Sequence, residues 1–192
     1  MKIIQDFKAQ IGALPKTVVL VGLMGAGKTS IGKRLADRLE ADFIDVDAEI
    51  EAAAGCSIAE FFSRYGETEF RRGEERVIER LLSRPPCVLA TGGGAFMSSY
   101  TRNSIRKHGL SIWLRADLET LYDRVARRSG RPLLETDDPK KTLGSLIDSR
   151  YPVYGEADII VESQGTNLGD TVDQVYRSLF DYLIGGRKAP CQ

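Results

Sequence analysis

Residues 22–29 read Gly22-Leu23-Met24-Gly25-Ala26-Gly27-Lys28-Thr29, which fits the pattern GxxxxGK[ST]. Glycines at 22, 25 and 27 let a backbone wrap closely, so that its N–H groups point at phosphate oxygens. A helix starting at that point adds the positive end of its dipole. In such a loop Lys28 reaches the β- and γ-phosphates and the Thr29 hydroxyl ligates Mg²⁺. The loop amides of Gly25, Ala26, Gly27 and Ser30 complete an ATP site. The chemistry implied is phosphoryl transfer from Mg·ATP, with one ion per subunit.

Phosphoryl transfer needs an acid near the metal. The third apolar run, 87–90, ends in Thr91-Gly92-Gly93-Gly94 rather than in an aspartate. The acids stand instead after the second run, in Asp45-Val46-Asp47. Strand alternation would put both carboxylates on one side. Asp45 can then hold Mg²⁺ through water and Asp47 can meet an acceptor hydroxyl. A plainer reading is that Asp47 caps a helix opening at Ala48. A carboxylate at a helix start can do both.

Arginines recur near the expected strand ends. Phe70-Arg71-Arg72-Gly73-Glu74-Glu75 reads as the opening of a charged helix, with an i,i+4 pair such as Arg71 with Glu75. Arg131 follows a basic run, Arg124, Arg127 and Arg128, and precedes a polar stretch; it reads as an arginine carried toward phosphate on a mobile segment, 129–139. Arg150 stands beyond the next helical segment, before Tyr151-Pro152. Together they favour a second, anionic substrate. The three glycines at 92–94 cost conformational entropy. They make sense where a ligand or another backbone approaches closely.

These residues must be positioned by a frame, and the pattern for one is present. Apolar runs at 17–21, 42–46, 87–90, 111–114 and 159–161 suit strands buried on both faces. Amphipathic stripes lie between and after them: Ile31, Leu35 and Leu39; Val77 with Leu81 and Ile78 with Leu82; Leu118, Leu121, Tyr122 and Val125; Val172, Val175, Leu179 and Leu183. The alternation predicts a single three-layer α/β domain over the 192 residues, with a core at about 15–185 and poorly ordered ends. Ligands of such sheets gather at the carboxyl ends of the strands.

Composition narrows the classes. Lys plus Arg and Asp plus Glu both number 27, so the formal charge is zero, against a dedicated nucleic-acid binder. No apolar run approaches the ~20 residues that span a bilayer, and the first 15 residues lack a signal-peptide core. A cytoplasmic protein is expected. Cys56, Cys87 and Cys191 form no disulfide framework, and the sole histidine, His108, excludes a His-based metal site.

In this order the motifs resemble the shikimate kinase family: GLMGAGKT at 22–29, FIDVD at 43–47, FRRGE at 70–74, TGGG at 91–94, RPLL at 131–134 and SRYPVY at 149–154. The resemblance runs from about residue 17 to 183. It implies a nucleoside-monophosphate-kinase-like fold with a five-stranded parallel sheet of order 2-3-1-4-5 and helices on both faces. It implies transfer of the ATP γ-phosphoryl group to the 3-hydroxyl of shikimate, on the route to chorismate and the aromatic amino acids, by a monomer with no nucleic-acid or membrane partner. Carried over by position, Asp47 contacts shikimate hydroxyls and Arg71 and Arg150 clamp its carboxylate. Gly93 contacts it through the backbone, Glu74 orients Arg71, and Arg131 stabilises the transferring phosphoryl group. The acceptor-binding region is 47–75. An arginine before RPLL stacks on adenine, Arg127 foremost with Arg124 and Arg128 as alternatives, and Gln164 lies beside that base. Some members carry a serine where this chain has Ala90, which moves metal coordination toward Thr29, Asp45 and water. The rival readings are a kinase of another small hydroxy acid such as gluconate, and a non-catalytic nucleotide-binding module. A GTPase is disfavoured because no NKxD segment is present.

Overall fold

The structure is a computed structural model and describes residues 11–126, 138–163 and 167–185. Its frame is a parallel sheet of five strands: β1 (Thr17–Val21), β2 (Phe43–Asp45), β3 (Val88–Ala90), β4 (Gly109–Arg115) and β5 (Ile159–Glu162). Their spatial order is β2-β3-β1-β4-β5, the order implied by the resemblance. β1 lies in the middle. Val18 pairs with Val88 on one side, and Val19 pairs with Ser111 on the other. A strand flanked on both edges and covered on both faces must be apolar throughout, and all five residues of β1 are buried.

Seven α-helices complete the described residues: α1 (Lys28–Leu39), α2 (Val46–Ala54), α3 (Ile58–Leu82), α4 (Ser99–His108), α5 (Leu118–Ala126), α6 (Pro139–Tyr154) and α7 (Leu168–Gly185). Ile31 and Leu35 of α1 are buried, as are Val172, Val175 and Leu179 of α7, and these two helices pack on each other. α3 packs on α4, and α4 on β4. The expected stripes are therefore the faces turned to the sheet.

Four local expectations are corrected. The second strand stops at Asp45, because Asp45 is the N-cap of α2 and its side chain accepts from Asp47 N–H. Asp45 and Asp47 are thus a cap and a first-turn residue rather than alternate strand positions, and the helix opens at Val46, not Ala48. FRRGE does not open a helix. It lies well inside α3, which starts at a Ser57–Glu60 capping box and is interrupted at Gly66 (φ 77°, ψ 174°). Arg71 pairs with Glu67 and Glu74, not with Glu75; Glu75 accepts from Ser98 Oγ instead. Arg150 lies within α6 rather than beyond a helix, and Pro152 follows it inside the same helix. The expected disorder of the ends concerns residues that lie mostly outside the described ones, apart from 11, 12 and 185.

Candidate active site

The phosphate loop connects the end of β1 to the start of α1. Gly22, Gly25 and Gly27 all have positive φ (141°, 82° and 93°), a region that costs any other residue strain. A Cβ on Gly22 would stand 2.8 Å from Leu114 O, and one on Gly25 would stand 3.0 Å from Leu121 O. Gly27 caps α1 in the left-handed conformation without a side-chain hydrogen bond. The first turn of α1 therefore presents its amides to the cavity. Lys28 Nζ lies across the loop, donating to Gly22 O at 2.6 Å and to Leu23 O at 3.0 Å.

Thr29 and Asp45 meet as the motif reading expects. Thr29 Oγ1 donates to Asp45 Oδ2 at 2.9 Å, while Asp45 Oδ1 accepts from Asp47 N at 3.2 Å. Both are hard oxygen donors, the kind Mg²⁺ selects, and a magnesium site completed by substrate phosphates needs only one or two from protein. Among the described residues no group of three or more His, Cys, Asp and Glu could hold a metal unaided.

Asp47 faces the same cavity. Burial, and then the neighbouring Asp45, push its carboxyl above the ordinary value, with Lys28 opposing. Such a shift brings a carboxylate toward general-base strength.

The three glycines lie where the site's charged side chains converge. A Cβ on Gly92 would stand 2.8 Å from Asp47 Oδ1 and 3.0 Å from Glu74 Oε1. One on Gly93 would stand 3.4 Å from Arg150 Nη1 and 3.7 Å from Gly22 O and Met24 N of the phosphate loop. One on Gly94 would stand 2.5 to 2.6 Å from the Arg71 guanidinium. The sequence led to the expectation of a ligand or another backbone here; the groups that approach most closely are instead the side chains of Asp47, Glu74, Arg150 and Arg71. Gly92 leaves room for two carboxylates and Gly93 and Gly94 for one guanidinium each, and the turn as a whole abuts the donor loop.

Glu74 is 2% exposed and accepts from Arg71 Nη1 at 2.7 Å through Oε2. Its Oε1 is buried and has no partner among the described residues. Burial pushes the Glu74 carboxyl up, with Arg71 pulling back in part. Burial works against the Arg71 charge too, but Glu74 and Glu67 outweigh it and hold the guanidinium above its ordinary value. Arg150 Nη1 donates to Gly93 O at 2.9 Å.

A cavity of about 660 Å³ runs from this turn along the phosphate loop. Beyond the loop it is lined by Thr120, Asp123, Arg124, Ser163, Leu168 and Thr171. Arg124 Nη1 reaches Ser163 Oγ at 3.1 Å and Gly25 O at 3.4 Å, and Ser163 Oγ donates to Ala26 O at 3.0 Å. Of the three arginines weighed for adenine, Arg124 lines this far end. Arg127, Arg128, Arg131 and Gln164, and all of 129–139 but Asp138 and Pro139, lie outside the described residues.

Sequence reasoning did not assign three residues that the geometry brings in. Ser163 ties β5 to the loop. Thr91 bonds its hydroxyl to Leu20 O at 3.1 Å and so fastens the glycine turn to β1. Tyr154 donates its hydroxyl to Gly93 O. Only Tyr154 carried a usable signal, since it stands four residues after Arg150 on a helix and so shares its face.

Comparison with known proteins gives the family of the chain. The family model described as shikimate kinase matches residues 24–180. A shikimate kinase of Paramagnetospirillum magneticum is 55% identical over 172 residues, 90% of this chain and 88% of the relative. Among solved structures, a shikimate kinase from Acinetobacter baumannii in complex with shikimate superposes with a TM-score of 0.80 at 33% identity, covering 97% of this chain and 99% of that one. A gluconokinase from Sinorhizobium meliloti gives 0.61 at 21% identity over 92% of this chain and 99% of that one, a likeness of fold alone.

Proposed function

The chain belongs to the shikimate kinase family, and we propose that its pocket divides the family reaction between a donor half at the phosphate loop and an acceptor half on the glycine turn. The chain is an ATP-dependent kinase that transfers the γ-phosphoryl group to the 3-hydroxyl of shikimate. The observation that carries the division is Gly93, which stands between Arg150 and the loop atoms Gly22 O and Met24 N. Donor and acceptor sites meet there with no side chain between them.

In this reading the amides of residues 25–30 and Lys28 bind the β- and γ-phosphates. Lys28 exchanges its contacts with Gly22 O and Leu23 O for phosphate oxygens. Thr29 and, through water, Asp45 would hold Mg²⁺, which supplies charge neutralisation on the phosphates when bound. Arg71, steadied by Glu74, and Arg150 bind the acceptor carboxylate, a planar anion suited to guanidinium forks. Asp47 accepts from the acceptor hydroxyl and orients its oxygen for in-line attack. The proton moves to Asp47 as the new P–O bond forms and the bond to ADP breaks. Catalysis is then mostly positioning and charge stabilisation.

Arg131 is assigned to the phosphoryl charge by the resemblance alone. Arg124 is the arginine we assign to the adenine end, from its place beside Gly25 and Ser163. Among the described residues no helix is long and apolar enough to cross a membrane. We propose a monomer that acts in the cytoplasm without a nucleic-acid partner. The test is ADP release followed with shikimate and with gluconate side by side, repeated for Arg71→Ala. Turnover with shikimate, little with gluconate, and a KM for shikimate raised by roughly 10-fold or more in the variant are expected. Equal turnover of the two acceptors would overturn the reading.

A further inference from the structure

At the acceptor end one fully enclosed side chain has no part in the scheme above. Tyr154 has no exposed surface. Its ring lies edge-on to Trp113 at 5.8 Å and near Phe96 at 6.2 Å. Phenylalanine would fill that space equally well, so the packing explains the ring but not the hydroxyl. The hydroxyl donates to Gly93 O, the same oxygen that accepts from Arg150 Nη1. A carbonyl has two lone pairs, and here both are taken by donors four residues apart on one face of α6.

The consequence follows from peptide geometry. The Gly93–Gly94 peptide is planar and trans, so holding its oxygen fixes the opposite N–H and the position of the Gly94 Cα. A Cβ on that Cα would run into the Arg71 guanidinium, so the place of the Cα sets where Arg71 can lie. One peptide plane therefore separates the two arginines, with Arg150 bonded to it and Arg71 resting on the next residue. Two consecutive glycines are also the most conformationally free pair a turn can contain. Backbone bonds from Ala95 N to Gly92 O and from Met97 N to Gly94 O close the turn on either side of that plane, and neither reaches the Gly93 oxygen.

We infer that the Tyr154 hydroxyl is a positioning residue for the acceptor carboxylate, fixing the Gly93–Gly94 peptide and with it the spacing of Arg71 and Arg150. The inference rests on the proposed role of those two arginines. Arg150 gives Nη1 to Gly93 O and is also hydrogen-bonded to the Tyr154 hydroxyl, so the tyrosine steadies the guanidinium as well as the peptide. With only Arg150 on that oxygen, the guanidinium and the peptide can turn together, and the two forks lose their register. Burial pushes the Tyr154 hydroxyl up to about 12, with Arg150 opposing, so it remains a donor at ordinary pH and takes no part as a base.

The experiment compares Tyr154→Phe, Arg150→Ala and the parent with shikimate and with the analogue whose carboxylate is reduced to a primary alcohol. Tyr154→Phe is expected to raise the KM for shikimate about 10-fold, with kcat and the KM for ATP within about twofold. With the alcohol analogue Tyr154→Phe and the parent are expected to behave alike. Installing 4-aminophenylalanine at 154, which returns a donor, is expected to bring the shikimate KM back toward the parent's; it also serves as the second variant should the phenylalanine protein melt early. An unchanged shikimate KM in Tyr154→Phe overturns the inference. So does an equal loss with the alcohol analogue, which would mark a general packing defect. If Arg150→Ala itself leaves the shikimate KM unchanged, the carboxylate reading fails and the inference with it; if only Tyr154→Phe is silent, the carboxylate reading stands.

Discussion

The phosphate loop presents main-chain amides and one lysine, whereas the acceptor end presents two guanidinium groups and two carboxylates around bare glycines. Both regions depend on glycine, for opposite reasons. Gly22, Gly25 and Gly27 are needed for their positive φ, and backbone atoms crowd two of them. Gly94 has ordinary right-handed angles (φ −99°, ψ −16°). It is needed only because the Arg71 guanidinium occupies the place of its side chain. The donor end is thus a backbone shape, and the acceptor end is a set of side chains given room. A shape tolerates little change, while a set of side chains can lose one member and keep the rest.

Three variants sharpen that contrast. The largest effect is expected from Lys28→Ala, which removes the lysine charge that the phosphate loop brings to the donor end. Turnover should fall by roughly a thousand-fold or more, because phosphoryl transfer runs on charge neutralisation. A coupled ADP assay checks it, and a variant within tenfold of the parent would break the donor half of the comparison.

Asp47→Asn comes next, with kcat lower by about a hundred-fold or more if Asp47 takes the acceptor proton. Its effect on stability should run the other way. The folded-state carboxyl is raised above its ordinary 3.8, so the folded protein binds that proton more tightly than the unfolded chain does. The stabilisation is present below 3.8 and is lost as pH rises through the raised value. The asparagine variant should therefore melt higher than the parent at neutral pH, and the gap should close in acid. The acidic limb of the parent's kcat/KM should likewise lie above pH 3.8. A variant that melts lower at neutral pH would show the carboxylate to be a stabilising charge in the first turn of α2 rather than a functional group held at a cost.

The smallest effect is expected from Gly94→Ala. The backbone there suits alanine, and the group it meets is the end of a flexible side chain, so Arg71 should swing away while the fold stays. The KM for shikimate should rise about 10-fold, the cost of one charge-assisted contact, with the KM for ATP unchanged. Loss of ATP binding as well would show the two ends to be one rigid unit.

The same contrast explains what the sequence made legible. A loop built from local backbone geometry writes itself into eight consecutive residues, and residues 22–29 could be read at sight. The sheet order came from the resemblance, and the buried strands from their unbroken apolar runs. The acceptor site draws on α2, α3, the glycine turn and α6, which meet only in space. Charge patterning paired Arg71 with Glu75, because periodicity ranks partners by spacing alone. In the fold Glu74 turns inward to Arg71 and Glu75 turns to Ser98. Asp45 escaped recognition as a cap because an apolar residue, Val46, follows it and prolongs the look of a strand. Tyr154 was hidden in plain view, since nothing local says that the oxygen it serves belongs to Gly93.

The pairing of β1 has a consequence for how the chain comes into being. Its neighbours are contributed by Val88 and Ser111, which the ribosome delivers long after the phosphate loop has emerged. Pairings so distant along the chain close slowly and leave early segments waiting. The loop that carries the chemistry is synthesised before either neighbour of β1, yet it gains its supports on both sides only when β4 arrives. A nascent chain halted before that point would hold the nucleotide motif in full and no site to go with it.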